Sequence, residues 1–491
     1  MLRGAAIMLN AKKTCAVLAI ASLVVILFIS CVGPSLGVGS PQSNSNPPNL
    51  IYILADDLGY GDLGRYGQRL ISTPNLDRLA AEGMVFTQHY AGSTVCAPSR
   101  ASLMSGLHTG HTVIRGNREV QPEGQHPIPN NRITVAERLR ELGYRTAAIG
   151  KWGLGAPGTE GVPNRQGFDY FFGYNGQRQA HSYYPAHLWR NEERVDLEGN
   201  RAGARGVYSH DLLVDEVLRF VREAAGAPFF LYAPFTIPHA GLDVPQDSMA
   251  PYLGNFAETP SEQQGRYISQ QTPRAAFAGM VSRLDRDVGR VIDLVDELGL
   301  KERTLIIFSS DNGPHQEGGA DPDFFGSRGG LRGFKRDLYE GGIRVPMIVR
   351  WPGVVEPGSE TNHVSALWDV APTFLELGGA PSVSNLDGLS FAPTLRGDSQ
   401  EAHDYLYWEF HPSYYHDQVW KQAVRMGDWK GVRLTGLEPS ESSIELYDLA
   451  NDPAELTNVA SGHSDVTSHL LQLMDQAHDP SELFPFPGEK P

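Results

Sequence analysis

Short apolar runs rich in β-branched and aromatic residues alternate with helix-patterned stretches along this chain of 491 residues. Residues 49–54, 146–149, 229–234, 304–309 and 345–350 read as strands. Residues 134–142 read as a helix. Phe277, Met280, Val281, Leu284, Val288, Val291, Ile292, Val295 and Leu298 keep the spacing of one long amphipathic helix, which Gly299 ends. Parallel neighbours need crossover connections, and crossovers place helices on both faces of the sheet. The predicted fold is α/β, a large mixed, mostly parallel sheet sandwiched by helices.

Beyond about residue 398 the pattern changes. Aromatic segments at 405–408, 423–425, 429–433 and 445–447, separated by Gly, Asp and Pro turns, predict a small antiparallel sheet. A helix over 466–477 closes it, and an irregular tail follows from His478. At the other end, Arg3, Lys12 and Lys13 precede an apolar run over 16–29. That is the charged and apolar layout of an export signal, and the run is short for a span of about 20 residues. Phe28-Ile-Ser-Cys31 resembles a lipoprotein box with Cys31 as the lipidated residue; cleavage after Gly37, with Ser35 at the small-residue position, competes with it. The expected organisation is a signal peptide over 1–37, a Pro/Ser/Asn linker over 38–48, a main domain over 49–397 and a C-terminal subdomain over 398–491. The expected location is periplasmic, extracellular or lipid-anchored at the cell surface, with membrane contact only through an anchor at Cys31.

The chain has 57 acidic against 41 Lys and Arg residues, a formal charge of -16. Nucleic acid is excluded as the main partner, because it demands a basic footprint. A small anionic substrate is not, since a few cations in one cleft dominate locally. The three cysteines provide no disulfide framework, and loss of the leader would leave Cys96 alone.

Chemistry-bearing residues gather after the strands, where open α/β sheets bind ligands. Asp56 and Asp57 follow the first strand, and Asp311 and Asn312 follow the run at 304–309. Three carboxylates and an amide are hard oxygen donors suited to Ca²⁺ or Mg²⁺, and no nearby Cys/His spacing suggests zinc. Taken singly, either pair reads equally well as turn residues or caps. Cys96-Ala-Pro-Ser-Arg100 precedes the apolar Ala101-Ser-Leu-Met104, so the cysteine sits at a helix entrance with Pro98 in the first turn. Unpaired N–H groups there favour an anion, and Arg100 adds a planar fork for a tetrahedral oxyanion.

These motifs, with Ala55-Asp-Asp-Leu-Gly-Tyr-Gly-Asp62, Gly143-Tyr-Arg-Thr-Ala-Ala-Ile-Gly-Lys151-Trp, Ser310-Asp-Asn-Gly313 and Tyr339-Glu-Gly-Gly-Ile-Arg-Val-Pro346, resemble the type I, formylglycine-dependent sulfatases of the alkaline phosphatase superfamily. Within that family the likeness is to arylsulfatases and N-acetylgalactosamine-6-sulfatases, and it runs from about Asn49 to Arg396. The resemblance implies a sulfuric ester hydrolase. It makes Cys96, oxidised to formylglycine by a maturation enzyme, the nucleophile. One calcium ion would be held by Asp56, Asp57, Asp311, Asn312 and modified Cys96. Arg100 would fix the formylglycine, Lys151 and Lys335 would hold sulfate oxygens, and His239 would face the leaving oxygen. Arg332 and Arg336 compete with Lys335 for its role. His181 and His315 are candidate substrate contacts, and His108 is expected to be structural. The substrate class implied is a sulfated carbohydrate or an aryl sulfate.

The residue types suit the chemistry. Attack on a sulfate monoester needs its charge neutralised by a metal and cations. A hydrated aldehyde offers one hydroxyl to attack sulfur and another that is deprotonated to expel sulfate; a serine ester lacks that exit. A histidine, with a reference pKa near ~6.5, suits protonation of the leaving alcohol. One departure stands out. Many family members carry a histidine shortly after the motif lysine as the base for this second hydroxyl, and here the run is Lys151-Trp152-Gly153-Leu154-Gly155. His315 is the candidate replacement. Alternative readings are a phosphodiesterase or phosphonate hydrolase of the same superfamily, and a non-catalytic carbohydrate-binding lipoprotein.

Overall fold

The run at 49–54 forms the strand Asn49–Ala55, buried at every residue. It pairs in parallel with Phe229–Pro234 on one side and Thr304–Ser310 on the other. The computed structural model describes residues 47–412 and 418–489. The expected signal peptide, Cys31 and the linker up to residue 46 lie outside the described residues.

Among the described residues the main sheet has ten strands. Its parallel centre runs Thr304–Ser310, Asn49–Ala55, Phe229–Pro234, Arg145–Lys151 and Tyr170–Tyr174. Antiparallel strands flank it: Met347–Arg350 beside Thr304–Ser310, and the hairpin His187–Arg190 and Glu193–Asp196 beyond Tyr170–Tyr174. Met84–Phe86 and Ser359–Thr361 complete the first edge. The expected mixed, mostly parallel sheet is present. Two predicted boundaries shift. The strand expected from 345 begins at Met347, because Pro346 cannot donate to a ladder. The strand expected over 146–149 extends to Lys151, whose Cα pairs with Tyr174.

Side-chain alternation shows why the central runs are apolar without a break. Ile51 and Ile53 enter a core with Leu284, Val288 and Val291 of the long helix Pro273–Glu297 and Val217 of Ser209–Ala224. Leu50, Tyr52 and Leu54 enter the opposite core with Leu103 of Cys96–Ser105, Leu139 of Val135–Glu141 and Phe374 of Val370–Leu377. The central strand is therefore covered on both faces.

The C-terminal segments form a four-stranded antiparallel sheet, in the order Leu406–Phe410, Trp420–Met426, Trp429–Thr435 and Ser443–Asp448. Trp408 and Val432 share a core with Tyr90, Val95 and Trp368. The other face packs on Leu470 and Met474 of the helix Ser464–Gln476. The tail is irregular yet fixed: Phe484 is buried, and His478 pairs with Glu409 and Glu489.

Candidate active site

The parallel register brings the two acidic pairs together. Ala55 pairs with Ser310, so Asp56 and Asp57 leave one strand beside Asp311 and Asn312 leaving the next. Asp57 turns the chain with φ 62°, and its N–H donates to Asp311 Oδ1 at 3.1 Å. The Leu58 N–H donates to Ser310 Oγ at 3.0 Å. Asn312 Nδ2 donates to Asp57 Oδ1 at 2.7 Å, which leaves Asn312 Oδ1 buried without a hydrogen-bond partner among the described residues.

The helix Cys96–Ser105 begins at this point and is buried throughout. Val95 supplies no side-chain cap; instead the Ala97 N–H donates to Asn117 Oδ1 at 3.1 Å. Cys96 Sγ lies 3.3 Å from Asp56 Oδ1 and 3.5 Å from Lys151 Nζ. One turn on, Arg100 donates to Asp311 Oδ2 from Nε at 3.1 Å and Nη2 at 2.7 Å, and to the Lys151 carbonyl. These bonds tie the helix to two strand ends.

Lys151 Nζ donates to Asp56 Oδ2 at 2.5 Å and Lys335 Nζ to Asp57 Oδ2 at 2.7 Å. Arg332 points instead to the Tyr447 hydroxyl at 2.6 Å, and Arg336 to Glu317, so of these three Lys335 is the one that meets Asp57. His239 Nε2 is 3.0 Å from Lys335 Nζ and 3.3 Å from Asp57 Oδ2. Its Nδ1 lies 2.5 Å from the Ala240 carbonyl, which assigns the ring proton to Nδ1. The His181 ring stacks on His239 at 4.6 Å and 14°. His315 lies at 5.7 Å from the His239 ring, with Nε2 toward the Pro238 carbonyl at 3.3 Å and Nδ1 accepting the Glu317 N–H at 3.2 Å. Both its nitrogens meet backbone groups, and one ring nitrogen lies within 4.8 Å of an Asp57 carboxylate oxygen. His108 likewise makes local bonds, its Nδ1 accepting the Gly110 N–H at 3.2 Å.

Charge is concentrated and out of water. Burial alone would raise Asp56, but Lys151, Arg100 and Lys335 hold its carboxyl well below the ordinary range. Burial, with the charge on Asp56, pushes Asp311 up to about 6 against the pull of Arg100. Burial and Asp56 push the Cys96 thiol well up, so at neutral pH it is a protonated thiol and a poor nucleophile. Burial and Lys335 lower His239, and burial and His239 lower His181. Asp56, Asp57, Cys96 and His239 each bring a ligand atom within 4.8 Å of the others. With the unpaired Asn312 Oδ1 beside them, this oxygen-rich cluster suits a hard cation.

Cys96, His181, His239 and Lys335 line a cavity of about 210 Å³. Asn117, Gln125, Gln177 and Tyr267 also line it, and sequence reasoning missed them. They are isolated residues on separate loops with no spacing to mark them; Gly153 was the only hint.

The protein-family model Sulfatase matches residues 48–380, and N-sulphoglucosamine sulphohydrolase, C-terminal, matches residues 331–482. Arylsulfatase A of Homo sapiens is 32% identical over 492 residues, covering 90% of this chain and 89% of the relative. N-acetylgalactosamine-6-sulfatase of Canis lupus familiaris is 31% identical, over 94% of this chain and 84% of the relative. Among solved structures, Ps i-CgsB in complex with k-i-k-neocarrahexaose superposes with a TM-score of 0.71 at 29% identity, covering 88% of this chain and 92% of that one.

Proposed function

This chain belongs to the sulfatase family of sulfuric ester hydrolases, and from that premise we propose that it desulfates a carbohydrate, using residue 96 as formylglycine and one bound calcium ion. The observation that carries the reading is the convergence of Cys96, three carboxylates, Asn312, Lys151, Lys335 and His239 at one group of strand ends. The relatives include an N-acetylgalactosamine-6-sulfatase and a structure holding a neocarrahexaose, which supports a sulfated sugar over a simple aryl ester.

Asp56, Asp57, Asp311, Asn312 and residue 96 would hold the calcium; the buried, unpaired Asn312 Oδ1 fits that role. When present, the ion and the hydrated aldehyde supply positive charge against the sulfate and a hydroxyl nucleophile that a buried thiol does not. Lys151 and Lys335 bind sulfate oxygens from opposite carboxylates. Arg100 keeps Asp311 and the Lys151 strand end in place. His239 keeps its Nδ1 proton on the Ala240 carbonyl, so the proton for the leaving alcohol is carried on Nε2. Sulfate drawing the Lys335 ammonium away from Nε2 frees that nitrogen to take a proton from solvent and pass it to the leaving alcohol.

Cys96 is 2% exposed, so the maturation enzyme must reach it before the chain closes. We read the protein as exported; among the described residues no helix is long and apolar enough to cross a membrane. The test joins three measurements on purified protein: the mass of the Cys96 peptide, bound metal, and turnover of 4-nitrophenyl sulfate. Aldehyde mass, one calcium and repeated turnover are expected. An unmodified thiol with no turnover leaves a binding protein.

A further inference from the structure

The cavity beside Cys96 is lined by groups of two characters. Lys335 brings a positive charge beside the neutral His239 imidazole. Gln125 and Gln177 form an uncharged part of the wall, 1% and 5% exposed. Nε2 and Oε1 of both are buried and have no hydrogen-bond partner among the described residues. Buried polar atoms are nearly always paired, and one left alone keeps its full desolvation cost. Two whole carboxamides without partners, in the cavity that holds the nucleophile position, point to a ligand.

The backbone builds this wall deliberately. The loops that carry the two glutamines touch, since a Cβ on Gly176 would lie 2.9 Å from the Gly124 nitrogen. Gly153 makes the room: it has φ +78°, and a Cβ there would lie 2.3 Å from Gln177 Nε2. A side chain at 153 and the Gln177 amide cannot share that space. Two residues past Lys151, the chain has therefore exchanged an in-line side chain for an uncharged amide reaching in from the next loop.

We propose that Gln125 and Gln177 are specificity-determining residues that hold hydroxyl groups of a neutral sugar ring carrying the sulfate ester; this rests on the sulfatase reading of the cavity. A carboxamide donates through Nε2 and accepts through Oε1, and a sugar hydroxyl satisfies both. A sulfate or carboxylate group only accepts, and Oε1 repels it. The sulfate has its own cations in Lys151 and Lys335. Arg336, also on the cavity, is engaged by Glu317 rather than offered to a uronate carboxylate. Tyr267, packed 5.3 Å from the His181 ring, adds an aromatic face for the sugar's C–H side.

The test uses the mature full-length enzyme with 4-nitrophenyl sulfate, the 4- and 6-sulfates of galactose and N-acetylgalactosamine, and iduronic acid 2-sulfate. At least one neutral hexose sulfate should be turned over in preference to the uronate. Gln125→Ala and Gln177→Ala should each lower its kcat/KM about tenfold, chiefly through KM. Turnover of 4-nitrophenyl sulfate should stay within about threefold, which also shows that the variants fold. Gly153→Ala should reproduce Gln177→Ala, because the added methyl displaces the same amide. Equal losses on the hexose and the aryl ester would assign the glutamines to the nucleophile and overturn the proposal. So would unchanged hexose kinetics, a preference for the uronate, or aryl sulfate turnover with no neutral hexose sulfate accepted. Failure of the wild type on every sulfate ester, aryl sulfate included, would instead remove the sulfatase reading beneath it.

Discussion

Lys335 Nζ stands 3.0 Å from His239 Nε2, and the ammonium is the donor because the imidazole proton is on Nδ1, against the Ala240 carbonyl. Burial and this neighbour together keep His239 neutral in the resting site. In the proposed mechanism, a lysine shared between Asp57 and a histidine would couple sulfate binding to the group that faces the leaving oxygen.

His239→Ala should therefore slow poor leaving groups most. For a sulfated sugar we expect a loss of about 10² to 10⁴ in kcat, and a much smaller one for activated aryl sulfates. The check is kcat/KM across aryl sulfates of graded leaving-group pKa. A slope no steeper than wild type removes His239 from leaving-group protonation.

Cys96→Ser should cripple multiple turnover while leaving the fold intact, in a host that matures only cysteine. The volume change is small and the thiol is already held protonated, so the melting temperature should move little. Mass analysis of the residue 96 peptide and steady-state rates are read together. Wild-type rates from the serine variant exclude the formylglycine route.

Chelation should abolish turnover, and calcium should restore it. Asn312→Ala should weaken calcium binding with a modest effect on stability. Asp311→Ala should lose metal and also destabilise by about 3 to 5 kcal/mol, because it strands the buried Arg100. Calcium titration by calorimetry and thermal melts separate the two effects. Full activity with no metal by elemental analysis rejects the site.

A pH-dependent stability term lies away from the site. Lys430 Nζ bridges Glu340 at 2.9 Å and Glu455 at 3.0 Å, all buried. Burial and the charge on Glu340 push Glu455 up to about 7 in spite of Lys430. The folded state then binds a proton that the unfolded state releases near its ordinary value of about 4.3. Stability from this group is full below that value and is lost as pH rises through about 7. Glu455→Gln should flatten the fall in melting temperature between about pH 5 and pH 8, by about 2 °C or more. An unchanged pH profile excludes the raised carboxyl.

Much of the fold and of the candidate site was legible because it is local. Apolar runs such as 49–54 have no alternation to read, which itself marks strands covered on both faces. Acidic pairs directly after such runs announce a ligand end. The strand that ends at Lys151 was read short, because its last residues pair with Tyr174 through contacts the sequence does not display. What His315 does could not be read from the sequence for a similar reason: closeness to Asp311 along the chain does not say which groups its ring meets, and here they are the Pro238 carbonyl and the Glu317 N–H.

The sequence by itself determined the family and the α/β class, and it supplied the proposed nucleophile and oxygen donors, since these are carried by contiguous motifs and by the chemistry of residue types. Only the tertiary structure decided which cation faces Asp57, where the His239 proton sits, and that the space at Gly153 belongs to Gln177. Those features depend on side chains from strands and loops distant along the chain. Their distances and hydrogen-bond directions exist only after the sheet's register has closed.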